Sequence, residues 1–177
     1  WGLRLNVGLR GTGVLRSSRV TLMEDGVLTS PAPYASPAAY YTPAMWKYQN
    51  IEILKGSSQL IAGPQTTGGA INMLTPVLDE KNDLMVTSAF GNYGQIRNFI
   101  QGEWKIANRT SIGLALNRSQ ADGFKQFNNE EVGGYALNDG YLKIGHHLDE
   151  RDLHHLELFF GGTQERSNQS YVGLSFA

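Results

Sequence analysis

The chain has 177 residues, a formal net charge of -1 and 41% hydrophobic residues. No run reaches the roughly 18 consecutive apolar residues of a membrane-spanning helix, and the near-neutral balance argues against a nucleic-acid binder, which would usually show a basic face. There is no cysteine, hence no disulfide framework, while 21 glycines beside 8 Tyr, 7 Phe and 3 Trp suit a β-rich chain with many turns.

From Trp1 to about Pro76 short β-prone stretches are broken by Gly and Pro. Arg19 to Met23 reads as a strand closed by the turn signal Asp25-Gly26. Thr29 to Pro43 holds four of the six prolines and three tyrosines. Proline cannot donate to a ladder, so this stretch reads as an irregular loop. Tyr48 to Leu54 alternates Ile51 and Ile53 with Asn50, Glu52 and Leu54. Gly63 to Gly69 is a turn, and Ala70 to Leu74 a short apolar strand.

From Leu84 onward the alternation is stricter. Gln101, Glu103 and Lys105 oppose a face of apolar residues and glycine. Ile112, Leu114 and Leu116 share one side of the next stretch, and Leu142 and Ile144 one side of Tyr141 to His147. Leu153 to Phe160 sets Leu156, Leu158 and Phe160 against His155, Glu157 and Phe159. These stretches approach the 9–11 residues with which a tilted strand crosses a bilayer, and such strands keep average hydropathy low. Connectors at Ala107 to Arg109 and Asp149 to Asp152 are short. Ala121 to Gly133 and the tail after Gly161 are long and polar. Short turns at one end and long loops at the other fit an outer-membrane barrel. Periodicity alone fits a soluble β-sandwich equally well.

The first half decides between them. Gln49 to Thr75 closely resembles the end of the plug domain of TonB-dependent outer-membrane receptors. The landmarks are Ile51-Glu52-Ile53-Leu54-Lys55-Gly56, Ala62-Gly63, Gly68-Gly69-Ala70-Ile71-Asn72 and Thr75. Upstream, Gly8-Leu9-Arg10-Gly11 and Asp25-Gly26-Val27 resemble the family's Arg-Gly and Asp-Gly-Val landmarks. Pro31 to Pro37, Gly63-Pro64-Gln65 and Ser167 to Leu174 resemble the ferric citrate receptor branch of that family.

The resemblance implies a mostly all-β fold. Residues 1–78 would be the later part of a plug, and 83–177 the first roughly five strands of a transmembrane barrel that is incomplete here. The family closes such barrels with about 22 strands. Five strands with open edges are not expected to fold stably alone. Trp1 is not a natural start and no charged-then-apolar signal peptide follows it, so the chain reads as an excerpt. The TonB-contacting segment and the first part of the plug are expected before it.

The implied function is import of a ferric chelate, ferric citrate or another iron-siderophore, across the bacterial outer membrane. Its partners would be TonB of the TonB-ExbB-ExbD complex, the chelate and outer-membrane lipid. A cobalamin, haem or glycan substrate is the alternative, and a soluble β-sandwich binding module the remote one. Neither an enzyme nor a resident cofactor is expected, since no nucleophile, base or carboxylate pair has catalytic spacing.

Tyr34, Ser36, Tyr40 and Tyr41 are the candidate ligand floor, because tyrosine offers a flat apolar face and a hydroxyl to an oxygen-rich chelate. Ser36 stands where the ferric citrate branch carries a ligand-contacting Gln, and it reaches less far. Arg10, Glu52 and Lys55 are the candidate plug–barrel docking residues. Lys55 replaces the family's common Arg, whose fork pairs bidentately with carboxylates. His146-His147 and His154-His155 flank the turn at Asp149 to Asp152 and can approach across a hairpin, where a turn-flanking role competes with metal ligation. The glycines of Gly63 to Gly69 lack the Gly-Lys-Ser/Thr ending of a phosphate-binding loop.

Overall fold

The computed structural model describes residues 6–14, 17–29, 41–63, 67–78, 82–124, 133–149, 151 and 153–168. The chain divides into two compact units, Trp1–Pro76 and Val77–Ala177.

The first unit is built on a four-stranded sheet of order β2-β1-β4-β3, formed by β1 (Val20–Glu24), β2 (Val27–Leu28), β3 (Asn50–Leu54) and β4 (Gly69–Leu74). Asp25 and Gly26, at φ 46° and 80°, make the two-residue turn between β1 and β2, as the Asp-Gly signal demands. β1 and β4 pair in parallel from Val20↔Gly69 to Glu24↔Met73, whereas β3 and β4 are antiparallel. Val20, Leu22, Ile71 and Met73 form a core on one face, against which Val7, Leu9 and Tyr48 pack. Met23, Ala62 and Ala70 form a second cluster with Leu54. The two central strands are therefore covered on both sides, which is why Val20 to Met23 and Ala70 to Met73 are nearly unbroken buried runs. Two 3-10 segments, Met45–Lys47 and Gly56–Ala62, were not legible in the sequence; they have no apolar period to announce them.

The second unit is an antiparallel meander of β5 (Asp83–Gly91), β6 (Gln95–Ala107), β7 (Thr110–Ala121), β8 (Tyr135–His147) and β9 (His155–Ser167), each beside its sequence neighbour. The sheet is not closed, so β5 and β9 are edges. The tail after Gly161, expected as loop, is strand to Ser167. Its glycines and polar residues stay in register with β8 through Tyr135↔Ser167, so the ladder continues where the apolar pattern stops. The β5–β6 hairpin turns on Tyr93 and Gly94, both at positive φ, with the Gln95 amide donating to the Asn92 carbonyl. The short connector at Asn108-Arg109 and the long connection between Ala121 and Tyr135 at the opposite end agree with the sequence reading, whereas the β5–β6 turn at that end spans only Asn92 to Gly94.

Register sorts the side chains sharply. On one face Leu84, Gly102, Leu114, Leu142 and Phe160 form a cross-strand row. Val86, Ile100, Leu116, Gly140 and Gly162 form the next row, and Trp104, Ile112, Ile144 and Leu158 another. Most of these large apolar residues are exposed, Leu116 at 50% and Phe160 at 58%. The opposite face carries Gln101, Glu103, Asn117, Asp139, Tyr141 and Lys143, several of them buried. This polar face has its own order. Phe99, Ala115 and Tyr141 cluster, and the Tyr141 ring stacks on Phe159 at 5.5 Å. Lys143 pairs with Glu157 at 3.2 Å, and the Thr163 hydroxyl donates to the Asp139 carboxylate. A sheet apolar on its exposed face and polar on the other is the reverse of a soluble half-buried sheet and matches a lipid-facing barrel wall.

Candidate functional site

The sequence landmarks from Asp25 to Thr75, up to 50 residues apart, are tied together by hydrogen bonds. The Asp25 carboxylate accepts from the Thr75 amide at 2.9 Å and from its hydroxyl at 2.6 Å. The Asn72 side chain accepts from the Gly26 amide at 2.8 Å and donates to Glu52 at 3.1 Å. Asp25-Gly26, Glu52, Asn72 and Thr75 thus clamp the β1–β2 turn to β4 and β3. Their residue types follow from this geometry. A short carboxylate can hold two donors at a strand end, and an amide can give and accept at once. Thr75→Val, which removes one buried donor and keeps the shape, is expected to cost about 2 kcal/mol. Faster hydrogen exchange of the β4 amides would measure it; unchanged protection would contradict the clamp.

Gly68 and Gly69 sit where three segments meet. A Cβ on Gly68 would stand 2.7 Å from the Arg19 carbonyl oxygen and 2.8 Å from the Thr12 hydroxyl. One on Gly69, at φ 142°, would meet the Leu54 carbonyl oxygen at 2.8 Å and Leu9 at 2.7 Å. The Leu9 to Thr12 turn, closed by the Thr12 amide on the Leu9 carbonyl at 3.1 Å, has Arg10 and Gly11 at positive φ. Arg10 follows Leu9 and Lys55 follows Leu54. The two candidate docking cations therefore come from segments that converge on the glycine pair, and both are exposed. Glu52 is also exposed as a residue, with its carboxylate on Asn72.

Of the candidate ligand residues, Tyr34, Ser36 and Tyr40 lie outside the described residues. Tyr41 is half-buried. Its hydroxyl donates to Glu24 at 2.6 Å and accepts from the Lys47 ammonium at 3.3 Å, while Lys47 and Glu24 pair at 3.4 Å. Lys47 lies 5.4 Å from the centre of the Tyr48 ring. This Glu24–Tyr41–Lys47 triad, built around a buried lysine, was missed from the sequence. The only signal was a lysine set between Trp46 and Tyr48, which is ordinarily a surface arrangement.

The histidine pairs do meet across the β8–β9 hairpin. His147 and His155 are cross-strand partners whose rings stack at 4.7 Å. His146 contacts the Thr110 hydroxyl at 2.9 Å, and His154 lies 4.0 Å from Asp149. Among the described residues no group of three or more His, Cys, Asp or Glu side chains is placed to hold a metal ion. Nor is any described helix long and apolar enough to cross a membrane, a fact that has no bearing on strands.

Residues 2–70 match the family model of the TonB-dependent Receptor Plug Domain. The resemblance read from the sequence is borne out in the first unit, which matches the plug domain of TonB-dependent receptors, and the second unit has the fold of barrel strands in a sheet that is not closed. Solved structures agree at the level of fold. The chain is similar to the unliganded ferric citrate transporter FecA, with a TM-score of 0.74 and 19% identity over 94% of this chain and 25% of that one. It is similar to the ferric yersiniabactin uptake receptor FyuA from Yersinia pestis, with a TM-score of 0.70 and 20% identity over 92% of this chain and 25% of that one. A copper transporter, OprC, matches with a TM-score of 0.65 and 19% identity over 93% of this chain and 26% of that one. The chain spans about a quarter of the length of these proteins. They are transporters and receptors, not enzymes.

Proposed function

We propose that this chain is part of an outer-membrane receptor that imports a ferric chelate with energy delivered through TonB of the TonB-ExbB-ExbD complex. The observation that carries the reading is the plug match over residues 2–70, joined to a sheet whose exposed face is apolar. Residues 1–78 serve as the later part of the plug, and 83–177 as the first strands of the barrel in contact with lipid. Likeness to a ferric citrate transporter and a ferric yersiniabactin receptor supports an iron chelate, and the resemblance of Pro31 to Pro37 to the ferric citrate branch supports citrate. Likeness to OprC supports copper as a second substrate class.

In this reading Tyr34, Ser36, Tyr40 and Tyr41 form the floor of the chelate site. Arg10, Glu52 and Lys55 dock the plug against the barrel's inner wall. Uptake of radiolabelled iron as ferric citrate, by cells carrying the whole receptor with and without TonB, tests the reading. TonB-dependent uptake is expected. Copper uptake in its place would move the substrate, and equal uptake without TonB would overturn the mechanism. Replacing Tyr34 and Ser36 together by alanine is expected to weaken chelate binding by the intact receptor about tenfold, the loss of one aromatic anchor and one hydroxyl. An unchanged dissociation constant would remove this loop from the site.

A further inference from the structure

All four histidines of the chain fall within ten positions on one hairpin, and the function proposed above uses none of them. The β8–β9 ladder brings two of them face to face. The Leu148 amide donates to the His154 carbonyl at 2.9 Å, while the His147 amide points away from β9, to the Arg109 carbonyl at 2.9 Å. His147 and His155 are therefore a non-hydrogen-bonded cross-strand pair, the kind whose side chains stand closest. Their rings lie 4.7 Å apart and within 5° of parallel. Both stand on the polar face of the sheet, the face of Lys143 and Glu157.

A glycine makes room for the pair. His155 Nε2 reaches diagonally over Gly145, where an added Cβ would stand 2.9 Å from it. Two imidazoles held at this spacing can chelate. The torsion that turns each ring is broad and soft, so a modest turn of both aims one nitrogen of each at a point about 2.0–2.1 Å away. Imidazole nitrogen suits copper(II), nickel(II) and zinc(II), whereas calcium and magnesium take oxygen. Glu157 is not a third ligand, because the Lys143 ammonium holds its carboxylate at 3.2 Å. Among the described residues no further His, Cys, Asp or Glu completes a group of three, so water fills the remaining positions.

We propose that His147 and His155 form a two-histidine site for a divalent transition-metal ion, with copper(II) bound most tightly by the usual order of stability. The β8–β9 turn lies at the same end of the sheet as the short turn at Asn108-Arg109, opposite the long connection after Ala121. In outer-membrane barrels the short turns are periplasmic. The ion therefore sits on the inner face of the wall at the periplasmic mouth, and it staples β8 to β9 beside their turn. That placement rests on the outer-membrane reading above; the site itself rests only on the hairpin.

The test is titration of the intact receptor in detergent with copper(II) and with zinc(II). Copper binding is expected, with nitrogen hyperfine splitting from two imidazoles in the electron paramagnetic resonance spectrum. His147→Asn and His155→Asn should each weaken it about a hundredfold and leave one imidazole, because the second ligand binds intramolecularly. His146→Asn, on the opposite face beside Thr110, and His154→Asn, 4.0 Å from Asp149 in the turn, should bind as wild type does. Saturating zinc should slow hydrogen exchange of the Leu148 amide in wild type and not in His155→Asn. Unchanged affinity in both His147→Asn and His155→Asn, or a loss in His154→Asn as large as theirs, would overturn the site, as would a spectrum with a single imidazole in wild type. Ferric citrate uptake is read separately. Its failure with copper binding intact would sink the import reading and leave the metal site standing.

Discussion

Gly69→Ala is expected to be the most damaging single-methyl change in the first unit, costing about 3 kcal/mol or more. Two independent penalties meet there. The backbone at φ 142° is one that L side chains rarely adopt, and such strain costs on the order of 1–3 kcal/mol. The added Cβ would also press on the Leu54 carbonyl oxygen at 2.8 Å, a backbone atom that cannot swing aside as a side chain can. Relief requires β3 or β4 to shift, and each shift disturbs the pairing Leu54↔Ala70. Gly13→Ala is the internal control: its Cβ meets nothing within 4 Å, and its φ is not in the positive range. Hydrogen exchange of β1 and β4 amides in the intact receptor should show a large loss of protection for the first variant and none for the second. Equal protection in both would mean that the convergence at Gly69 carries no load.

The second large effect is expected from the buried ion pair. Lys47 and Glu24 are only 4% and 15% exposed at their side chains, so removing one charge strands the other away from water. Glu24→Leu is expected to cost about 3–5 kcal/mol. The Tyr41 hydroxyl remains near the ammonium, yet a neutral oxygen cannot replace a carboxylate. Lys47→Met in the same background should recover most of the loss, because a well-packed apolar pair often equals a buried ionic one. The cycle of two single variants and the double is therefore diagnostic. Additive losses in the exchange-derived opening free energies would show that the charges act independently, against the close pairing seen here. The triad also bears on the proposed ligand floor. Tyr41 is the described member of that group, and its hydroxyl is already engaged at both its donor and acceptor sides. If it also touches a chelate, it does so through the ring.

Local patterns carried much of the architecture. The strict alternation from Leu84 onward placed Ile112, Leu114 and Leu116, and likewise Leu142 and Ile144, on shared faces as found, because a side-chain period of two is a property of each strand alone. The burial of Phe99 and Leu137 on the polar face was not read. Asp25-Gly26 announced its own turn, since few residue pairs accept positive φ twice. The family landmarks were legible because glycines, an asparagine and a threonine stand where backbone approach and hydrogen bonding leave few substitutes.

What the sequence determined by itself was therefore a plug segment with its landmarks from Arg10 to Thr75, then amphipathic strands with short turns at one end. Only the tertiary structure decided which residues meet. The parallel pairing of β1 with β4 joins segments nearly fifty positions apart, and no local signal states it. The burial of Lys47 depends on Glu24 and Tyr41 arriving beside it. The extension of β9 to Ser167 depends on a partner strand, because a ladder holds glycine and polar residues that have no strand preference of their own. The row of Asn98, Arg118, Asn138 and Gln164 exists only once four strands are in register. In each case the deciding interaction is non-local, and a one-dimensional pattern cannot state the pairing that creates it.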